Sequence, residues 1–108
     1  MGEFKTIAQF WENYRCWFVF FEGGCASCRL CIWDNSPKEA VITDLYTVEV
    51  CRQQGFASEL LSFCESFAKL QGCDSISLRS DKDDFVRKWY RKQGFEVESS
   101  EVWLRKKI

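Results

Sequence analysis

An arginine and two small residues, spaced Arg52-x-x-Gly55-x-Ala57, lie where a segment rich in β-branched residues meets a segment with helical periodicity. The first turn of a helix leaves main-chain N–H groups unpaired, and the helix dipole adds roughly half a positive charge there. Gly55 removes the Cβ that would keep a ligand at a distance, and Ala57 is nearly as small. The pattern therefore predicts a site for an anion such as a phosphate group, although a plain turn with no ligand fits the same residues.

The chain also contains seven cysteines, and three of them are spaced Cys25-x-x-Cys28-x-x-Cys31. A structural zinc ion needs four ligands that converge on one point, and the chain contains no histidine. Cys28 and Cys31 lie in a segment that alternates as a strand does, so their side chains should point to opposite faces. An odd number of cysteines without a signal peptide indicates reduced thiols and not a disulfide framework. We therefore predict small buried cysteines and no metal, with a metal site or a reactive thiol as alternatives.

The elements that must position these residues follow from hydrophobic periodicity. Apolar residues at helical spacing predict helices over residues 4–14, from Ala57 to a stop at Gly72, and over residues 85–92. Apolar or alternating segments predict strands over residues 16–21, 27–33, 40–50, 74–79, 96–98 and 102–105. The resulting order, α-β-β-β-α-β-α-β-β, predicts one α/β (α+β) domain over residues 1–108, with a mixed, mostly antiparallel central sheet flanked by helices.

Composition limits the class of protein. Of the 108 residues, 46% are apolar and 17% are aromatic, which indicates a packed core and not a disordered chain. The net charge of −1 gives no indication of a nucleic-acid partner or of an anionic membrane surface. No apolar run approaches the ~20 residues of a membrane span, and no signal peptide opens the chain. We therefore expect a cytoplasmic protein that binds neither nucleic acid nor membranes.

The central segment resembles a motif of the GNAT family of N-acetyltransferases. The residues that match this motif in register are Leu45, Arg52, Gly55, Ala57, Leu60 and Leu61. Thr47 and Glu49 stand where the family usually has valine and proline. A later block, residues 85–95, resembles a second family motif, in which a tyrosine (here Tyr90) stands four residues before Gly-Phe. The two motifs follow one another in the family's order and at the family's distance.

The resemblance implies that acetyl-CoA is the acyl donor and that it lies where the central strand parts from the strand that follows it. The pantetheine arm would pair with main-chain atoms of Leu45, Tyr46 and Thr47, as an added strand would. A β-bulge there would part the strands. The pyrophosphate would be held by the loop and the first helical turn, which comprise Arg52, Gln53, Gln54, Gly55, Phe56, Ala57 and Ser58. No metal is implied.

The resemblance also implies catalytic roles. Tyr90 would be the general acid, because a phenol with a pKa of about 10 can donate to a departing thiolate. The alternative is an ordinary tyrosine on the apolar face of a helix. An acidic residue on or just after the central strand would be the general base, and of Asp44 and Glu49 we favour Asp44. A histidine base is excluded, because the chain has no histidine.

The sequence therefore predicts an enzyme, an acetyl-CoA-dependent N-acetyltransferase whose acceptor is a primary amine of a small molecule, an amino acid, a peptide or a protein. Family members usually begin with a further strand and often a further helix, which form part of the acceptor side and which this chain would lack. Two alternatives stay open: a degenerate member that binds acyl-CoA or a protein partner without turnover, and a small thiol- or metal-binding module. A homodimer could complete the cleft through aromatic residues near the N-terminus: Phe10, Trp11 and Trp17.

Overall fold

Seven strands and two helices, in the order β-β-β-β-α-β-α-β-β, form the part of the chain that this computed structural model describes, residues 3–52, 54–80, 84–98 and 103–108. The strands are β1 (Phe4–Phe10), β2 (Tyr14–Phe21), β3 (Ala26–Trp33), β4 (Glu39–Thr47), β5 (Ser75–Arg79), β6 (Glu96–Val97) and β7 (Trp103–Lys107). The helices are α1 (Phe56–Leu70) and α2 (Asp84–Lys92), and a short 3₁₀ helix spans Glu49–Cys51. Neither α1 nor α2 has the length and apolar character that a helix needs to cross a membrane.

The described strands form one sheet with the spatial order β1-β2-β3-β4-β5-β7-β6. β4 and β5 run parallel, and the other neighbouring pairs are antiparallel. β4 and β5 can run parallel because α1 lies between them in the chain and provides the crossover that parallel neighbours need. The prediction of a mixed, mostly antiparallel sheet with flanking helices is confirmed.

One side of the sheet, which we call the helix face, is covered because the apolar residues of α1 recur at helical spacing. Leu60, Leu61, Cys64 and Ala68 of this helix are buried. They form one cluster with alternate residues of the strands, among them Val19, Cys28, Leu30, Ile32, Ala40, Ile42, Ile76, Leu78 and Leu104. Tyr90 of α2 and the following Phe95 belong to the same cluster. Burying a large apolar side chain contributes about 1.5–3 kcal/mol, so this cluster supplies most of the packing energy.

The opposite side of the sheet, which we call the open face, carries the other set of alternate strand residues. They include Cys16, Phe18, Phe20, Arg29, Cys31, Trp33 and Tyr46. Phe18, Trp33 and Tyr46 are 41%, 43% and 54% exposed. Both described helices pack on the helix face, so neither of them covers these side chains.

The prediction of a helix over residues 4–14 is wrong, because Phe4–Phe10 forms β1. This strand pairs antiparallel with β2 from Phe4↔Phe21 to Phe10↔Arg15. Its apolar spacing fits a helix as well as a strand, so contacts that are distant in the sequence decide between them. The Phe4 ring lies 5.2 Å from that of Phe21 and 5.5 Å from that of Phe63 in α1. The first described element is thus a strand, where a helix and no first strand were predicted.

The remaining predicted elements are confirmed to within a few residues, with one change near the candidate site. β4 ends at Thr47, and Glu49–Cys51 turns into a 3₁₀ helix instead of extending the strand to Val50. α2 ends before Gly94, as predicted. Gly94 has φ 96°, a backbone conformation that strains a residue with a side chain, so glycine suits this position.

A disulfide bond joins Cys25 to Cys51, so the prediction that all the cysteines are reduced is wrong for this pair. The two residues are far apart in the sequence, and no local pattern indicates that the fold brings their Cα atoms to 5.7 Å. The other five cysteines are free and buried, as predicted.

The sulfurs of Cys28 and Cys31 point away from each other, as strand alternation predicts. Cys28 Sγ lies 3.5 Å from Sγ of Cys64 on the helix face. Cys31 Sγ donates to Sγ of Cys16 at 3.1 Å on the open face. With Cys25 bonded to Cys51, the Cys-x-x-Cys-x-x-Cys run does not converge on one point.

Candidate functional site

A β-bulge interrupts the pairing of β3 with β4. Ser27 pairs with Tyr46, whereas Arg29 pairs with Thr43, so β4 uses one more residue than β3 over this stretch. Asp44 has φ 55°, in the left-handed region that aspartate tolerates better than most residues. A bulge bends its strand and increases the local twist, and bulges are frequent beside active sites. A bulge was expected here from the family resemblance, and the structure confirms it.

β4 parts from β5 next to the bulge. The parallel pairing of the two strands covers only Glu39–Ile42 against Ser75–Leu78, although β4 continues to Thr47. Within the described residues, the edge of β4 that faces β5 therefore has no strand partner over residues 43–47. An extended ligand that carries amide groups can pair with such an edge as an added strand.

The extra residue also reverses the alternation of β4. Ile42 before the bulge and Leu45 after it both lie on the helix face, where Leu45 packs against the core. Tyr46 consequently lies on the open face. Of the three strand residues predicted to bind the donor, Leu45 and Thr47 thus face the helices and Tyr46 does not. The prediction concerns their main-chain atoms, which the direction of the side chains leaves unaffected.

Gly55 joins the loop after β4 to the first turn of α1. It has φ 84°, which strains most other residues, and a Cβ placed on it would meet no atom within 4 Å. The space beside Gly55 is therefore open to a ligand. N–H groups in the first turn of α1 have no partner inside the helix, and together with the helix dipole they favour an anion at this end.

A cleft of about 330 Å³ lies against this loop. Its walls comprise Thr47, Cys51, Arg52, Gly55, Phe56, Ala57, Ser58, Phe85 and Trp89. The structure thus brings together six of the residues that were predicted to bind the donor, from β4, the loop and α1. Phe85 and Trp89 extend the wall from α2. Sequence reasoning placed both on an apolar helix face but assigned neither to the site.

The loop residues are held by hydrogen bonds within the loop. Nε of Arg52 donates to the main-chain oxygen of Thr47 at 3.1 Å, which holds the guanidinium beside the cleft, where a cation attracts phosphate. Nε2 of Gln54 donates to the oxygen of Val50 at 2.9 Å, and the Gln54 side chain does not line the cleft. The prediction for Gln53 falls on a residue outside those that the structure describes.

Tyr90 is 8% exposed and does not line the cleft. Its ring packs edge-to-face on Trp89 at 5.0 Å and on Phe95 at 5.9 Å. Burial raises the pKa of Tyr90 above its ordinary value of 10.0, and Cys28 makes a smaller electrostatic contribution in the same direction. Tyr90 and Cys28 both belong to the core cluster on the helix face, and Cys28 is the β3 residue between the two register points that flank the bulge. Its phenol keeps its proton into the alkaline range and can donate it.

The two candidate bases are both exposed and lie on different elements. Asp44 stands at the bulge of β4, with its main chain in the left-handed region. Among the described residues it belongs to the stretch of β4, residues 43–47, that does not pair with β5. Glu49 lies beyond β4 in the 3₁₀ helix.

Sequence reasoning missed Cys51 as a residue of the site. It lines the cleft directly before Arg52, and its sulfur is bonded to Cys25 in the turn between β2 and β3. The position of Cys51 beside the arginine was the one signal available, since its partner Cys25 lies 26 residues away in the turn between β2 and β3.

Comparison with known proteins gives a consistent family and fold. A family model described as the acetyltransferase (GNAT) family matches residues 2–95. A Klebsiella pneumoniae protein assigned to the acyl-CoA N-acyltransferases superposes with a TM-score of 0.77 at 12% identity, over 99% of this chain and 97% of that chain. PaiA N-acetyltransferase from Thermoplasma acidophilum, solved in complex with coenzyme A, gives 0.69 at 22% identity over 89% of this chain and 62% of its own. A Staphylococcus aureus acetyltransferase of the GNAT family gives 0.69 at 16% identity, over 87% and 67%.

The chain therefore spans about two thirds of the length of the last two proteins. At these identities the similarity to solved structures establishes the fold. No curated protein matches the sequence.

Proposed function

We propose that this chain, which belongs to the acetyltransferase (GNAT) family, transfers an acetyl group from acetyl-CoA to a primary amine. The observation that carries the proposal is the gap between β4 and β5 beside the Gly55 loop. The strand edge suits an amide-bearing arm, and the helix N-terminus with Arg52 suits phosphate groups. Acetyl-CoA carries both kinds of group in one molecule. The coenzyme A bound to the T. acidophilum protein supports the choice of donor.

In the proposed complex, main-chain atoms of Leu45, Tyr46 and Thr47 pair with the pantetheine arm. The pyrophosphate is held by the loop and the first turn of α1, which comprise Arg52, Gln53, Gln54, Gly55, Phe56, Ala57 and Ser58. Most of these contacts use main-chain N–H groups, so the identity of several side chains matters less than the open space at Gly55.

The proposed reaction needs two proton transfers. The amine must be neutral to attack the thioester carbonyl, and Asp44, at the bulge of β4, takes its proton. A C–N bond forms, the C–S bond breaks, and Tyr90 protonates the departing thiolate from the helix face. Burial favours the neutral phenol of Tyr90, so the proton is present at neutral pH. The acceptor is an amine of a small molecule, an amino acid, a peptide or a protein.

A second candidate function is the binding of acyl-CoA or of a protein partner without turnover. The burial of Tyr90 outside the walls of the cleft favours it. A homodimer and a cytoplasmic location belong to the proposal as well. Phe10 and Trp11, at 71% and 58% exposure, support a partner surface near the N-terminus, whereas Trp17 is 6% exposed and packs in the core.

Calorimetric titration with acetyl-CoA tests the proposed donor site. We expect saturable binding by the wild-type protein. Gly55→Val should lower the affinity about tenfold or more, ~1.4 kcal/mol, because its side chain fills the space through which a phosphate reaches the N–H groups. Gly72→Val is the matched control, since Gly72 also has a positive φ (92°) and open surroundings but ends α1 away from the cleft. Its affinity should equal that of the wild type.

Absence of binding by the wild-type protein at millimolar acetyl-CoA would overturn the proposal. Where binding is found, release of coenzyme A in the presence of a panel of primary amines, measured by chromatography, separates the two candidate functions. Turnover with one of the amines supports the acetyltransferase, and binding without release of coenzyme A supports the binding module.

A further inference from the structure

We infer that the disulfide between Cys25 and Cys51 is a redox switch for the donor site, and that its reduction weakens acyl-CoA binding. The inference rests on the proposed function, because the switch acts on the cleft proposed to hold acyl-CoA. It starts from the position of this bond, which lies in the wall of that cleft.

The bond ties the donor loop to the neighbouring hairpin. Cys25 closes the turn between β2 and β3, and Cys51 ends the 3₁₀ helix directly before Arg52. Among the described residues, one main-chain hydrogen bond outside the strand pairing, from N of Val48 to O of Cys25 at 2.9 Å, joins the same two segments. The side-chain hydrogen bonds of Arg52 and Gln54 stay within the loop and the end of β4. The pairing of β3 with β4 ends at Ala26↔Thr47, so the covalent bond restrains the loop beyond Thr47 relative to the sheet.

This pair of cysteines is also the accessible one. Cys25 and Cys51 are half-buried, whereas the free cysteines are buried, with Cys28 at 1% exposure and Cys64 at 0%. Thiol–disulfide exchange requires that a thiolate reach a sulfur of the bond, so accessibility determines which cysteines react. A thiol reductant would thus act at the cleft and leave the core thiols as they are.

Reduction proceeds by two exchange steps with an external dithiol. One thiolate of the dithiol attacks a sulfur of the bond and forms a mixed disulfide, and its second thiolate then displaces the protein thiol. The protein gains two electrons and two protons to give free Cys25 and Cys51, and the dithiol is oxidised to its own disulfide. In a reducing compartment, disulfides that persist are mostly transient or redox-sensing.

The loop loses its covalent restraint when the bond is reduced. Acyl-CoA must then order the loop as it binds, and the entropy cost of this ordering weakens binding. In the oxidised protein the disulfide has already restrained the loop on folding, so binding does not include that cost. We expect the oxidised protein to bind about 5- to 10-fold more tightly than the reduced protein, within the usual range of coupling between two sites.

The test is calorimetric titration with desulfo-coenzyme A, which has no thiol and cannot itself reduce the bond. The wild-type protein is compared after air oxidation and after reduction with dithiothreitol. The double variant Cys25→Ser/Cys51→Ser should bind as weakly as the reduced protein in both buffers. The matched control is Cys16→Ala/Cys31→Ala, which removes a pair of free thiols on the open face and should keep the full difference between oxidised and reduced protein. Mass mapping after alkylation reports the bond in each sample.

The outcomes separate this inference from the proposed function. Equal affinity of oxidised and reduced wild-type protein overturns the switch and leaves the donor site standing. No binding in either state overturns both. Free Cys25 and Cys51 in the air-oxidised protein also overturn the switch. If the double variant fails to fold, as circular dichroism would show, the two states of the wild-type protein still give the answer.

Discussion

The two faces of the sheet are built from the same strands, but their side chains differ in how far they are buried. On the helix face, Val19, Leu30 and Ile76 are 0% exposed beneath the helices. On the open face, Phe18, Trp33 and Tyr46 keep 41–54% of their surface exposed. Strand alternation assigns each residue to a face, and the bulge at Asp44 is where β4 changes that assignment. The contrast teaches that one face stabilises the fold and adjoins the cleft proposed for the donor, while the described helices leave the other face uncovered.

Alanine substitution of one phenylalanine on each face should give the largest difference, which is a difference in the free energy of unfolding. Phe95 is 1% exposed and Phe18 is 41% exposed. Phe95→Ala should lower the free energy of unfolding by about 3–5 kcal/mol, because it leaves a cavity in the core, whereas Phe18→Ala should lower it by less than ~1 kcal/mol. Urea unfolding followed by circular dichroism measures both values. A loss for Phe18→Ala as large as that for Phe95→Ala would show that the open face is covered in solution. The two faces would then not differ in burial.

Local patterns predicted most of the helix face and little of what is arranged by distant contacts. The apolar periodicity of α1 and the β-branched run of β4 each indicate their element without help from the rest of the chain. β1 has apolar spacing that fits either element, and the packing of Phe4 on Phe63 decides for a strand. The Cys25–Cys51 bond is equally invisible to a local pattern.

The candidate site divides in the same way. The Gly55 loop has a local signature, and the structure places an open cleft beside it. Roles for Tyr90 and Asp44 came from the family resemblance, and they stay predictions. That Asp44 stands at the bulge and that Tyr90 is buried on the helix face depend on the extra residue of the bulge and on how α2 packs, and neither can be counted from sequence spacing.

Variants of the two proposed proton carriers test whether the bulge of β4 and the helix face take part in catalysis. Tyr90→Phe should keep the affinity for acetyl-CoA and lower kcat by roughly 10- to 100-fold, since it removes the acid, and Asp44→Asn should lower kcat by a similar factor. Glu49→Gln is the control, because Glu49 lies beyond β4 in the 3₁₀ helix, and its kcat should not change. Release of coenzyme A gives kcat, and calorimetry gives the affinity. An unchanged kcat in Tyr90→Phe would show that Tyr90 takes no part in the reaction. The helix face would then contribute only to binding of the donor.

The same variant has a pH dependence with a definite sign. Burial raises the pKa of Tyr90 above 10.0 in the folded protein. The stability that this neutral phenol contributes is therefore complete below a pH of about 10 and is lost as the pH rises further. Between about pH 9 and pH 11, Tyr90→Phe should lose less unfolding free energy than the wild type. Urea titrations at both pH values measure the two losses. An equal loss in the wild type and in Tyr90→Phe would contradict the burial of the Tyr90 phenol.

Substitution of two arginines, one beside the cleft and one on the open face, should give the smallest difference, which is a difference in affinity for acetyl-CoA. Arg52 lines the cleft and is held by its 3.1 Å hydrogen bond to Thr47, whereas Arg29 is exposed on the open face beside Thr43. Arg52→Gln should weaken acetyl-CoA binding about 5- to 10-fold, because it removes a charge-assisted contact to phosphate, and Arg29→Gln should stay within about twofold of the wild type.

Titration at two salt concentrations completes this comparison. The effect of Arg52→Gln should shrink in high salt, because mobile ions screen an exposed cation from the phosphates. A loss of affinity in Arg29→Gln as large as that in Arg52→Gln would mean that the donor reaches around the bulge onto the open face. The acceptor would then have to share that face with the donor. The two faces would not have separate binding roles beside the bulge, where β4 changes its alternation.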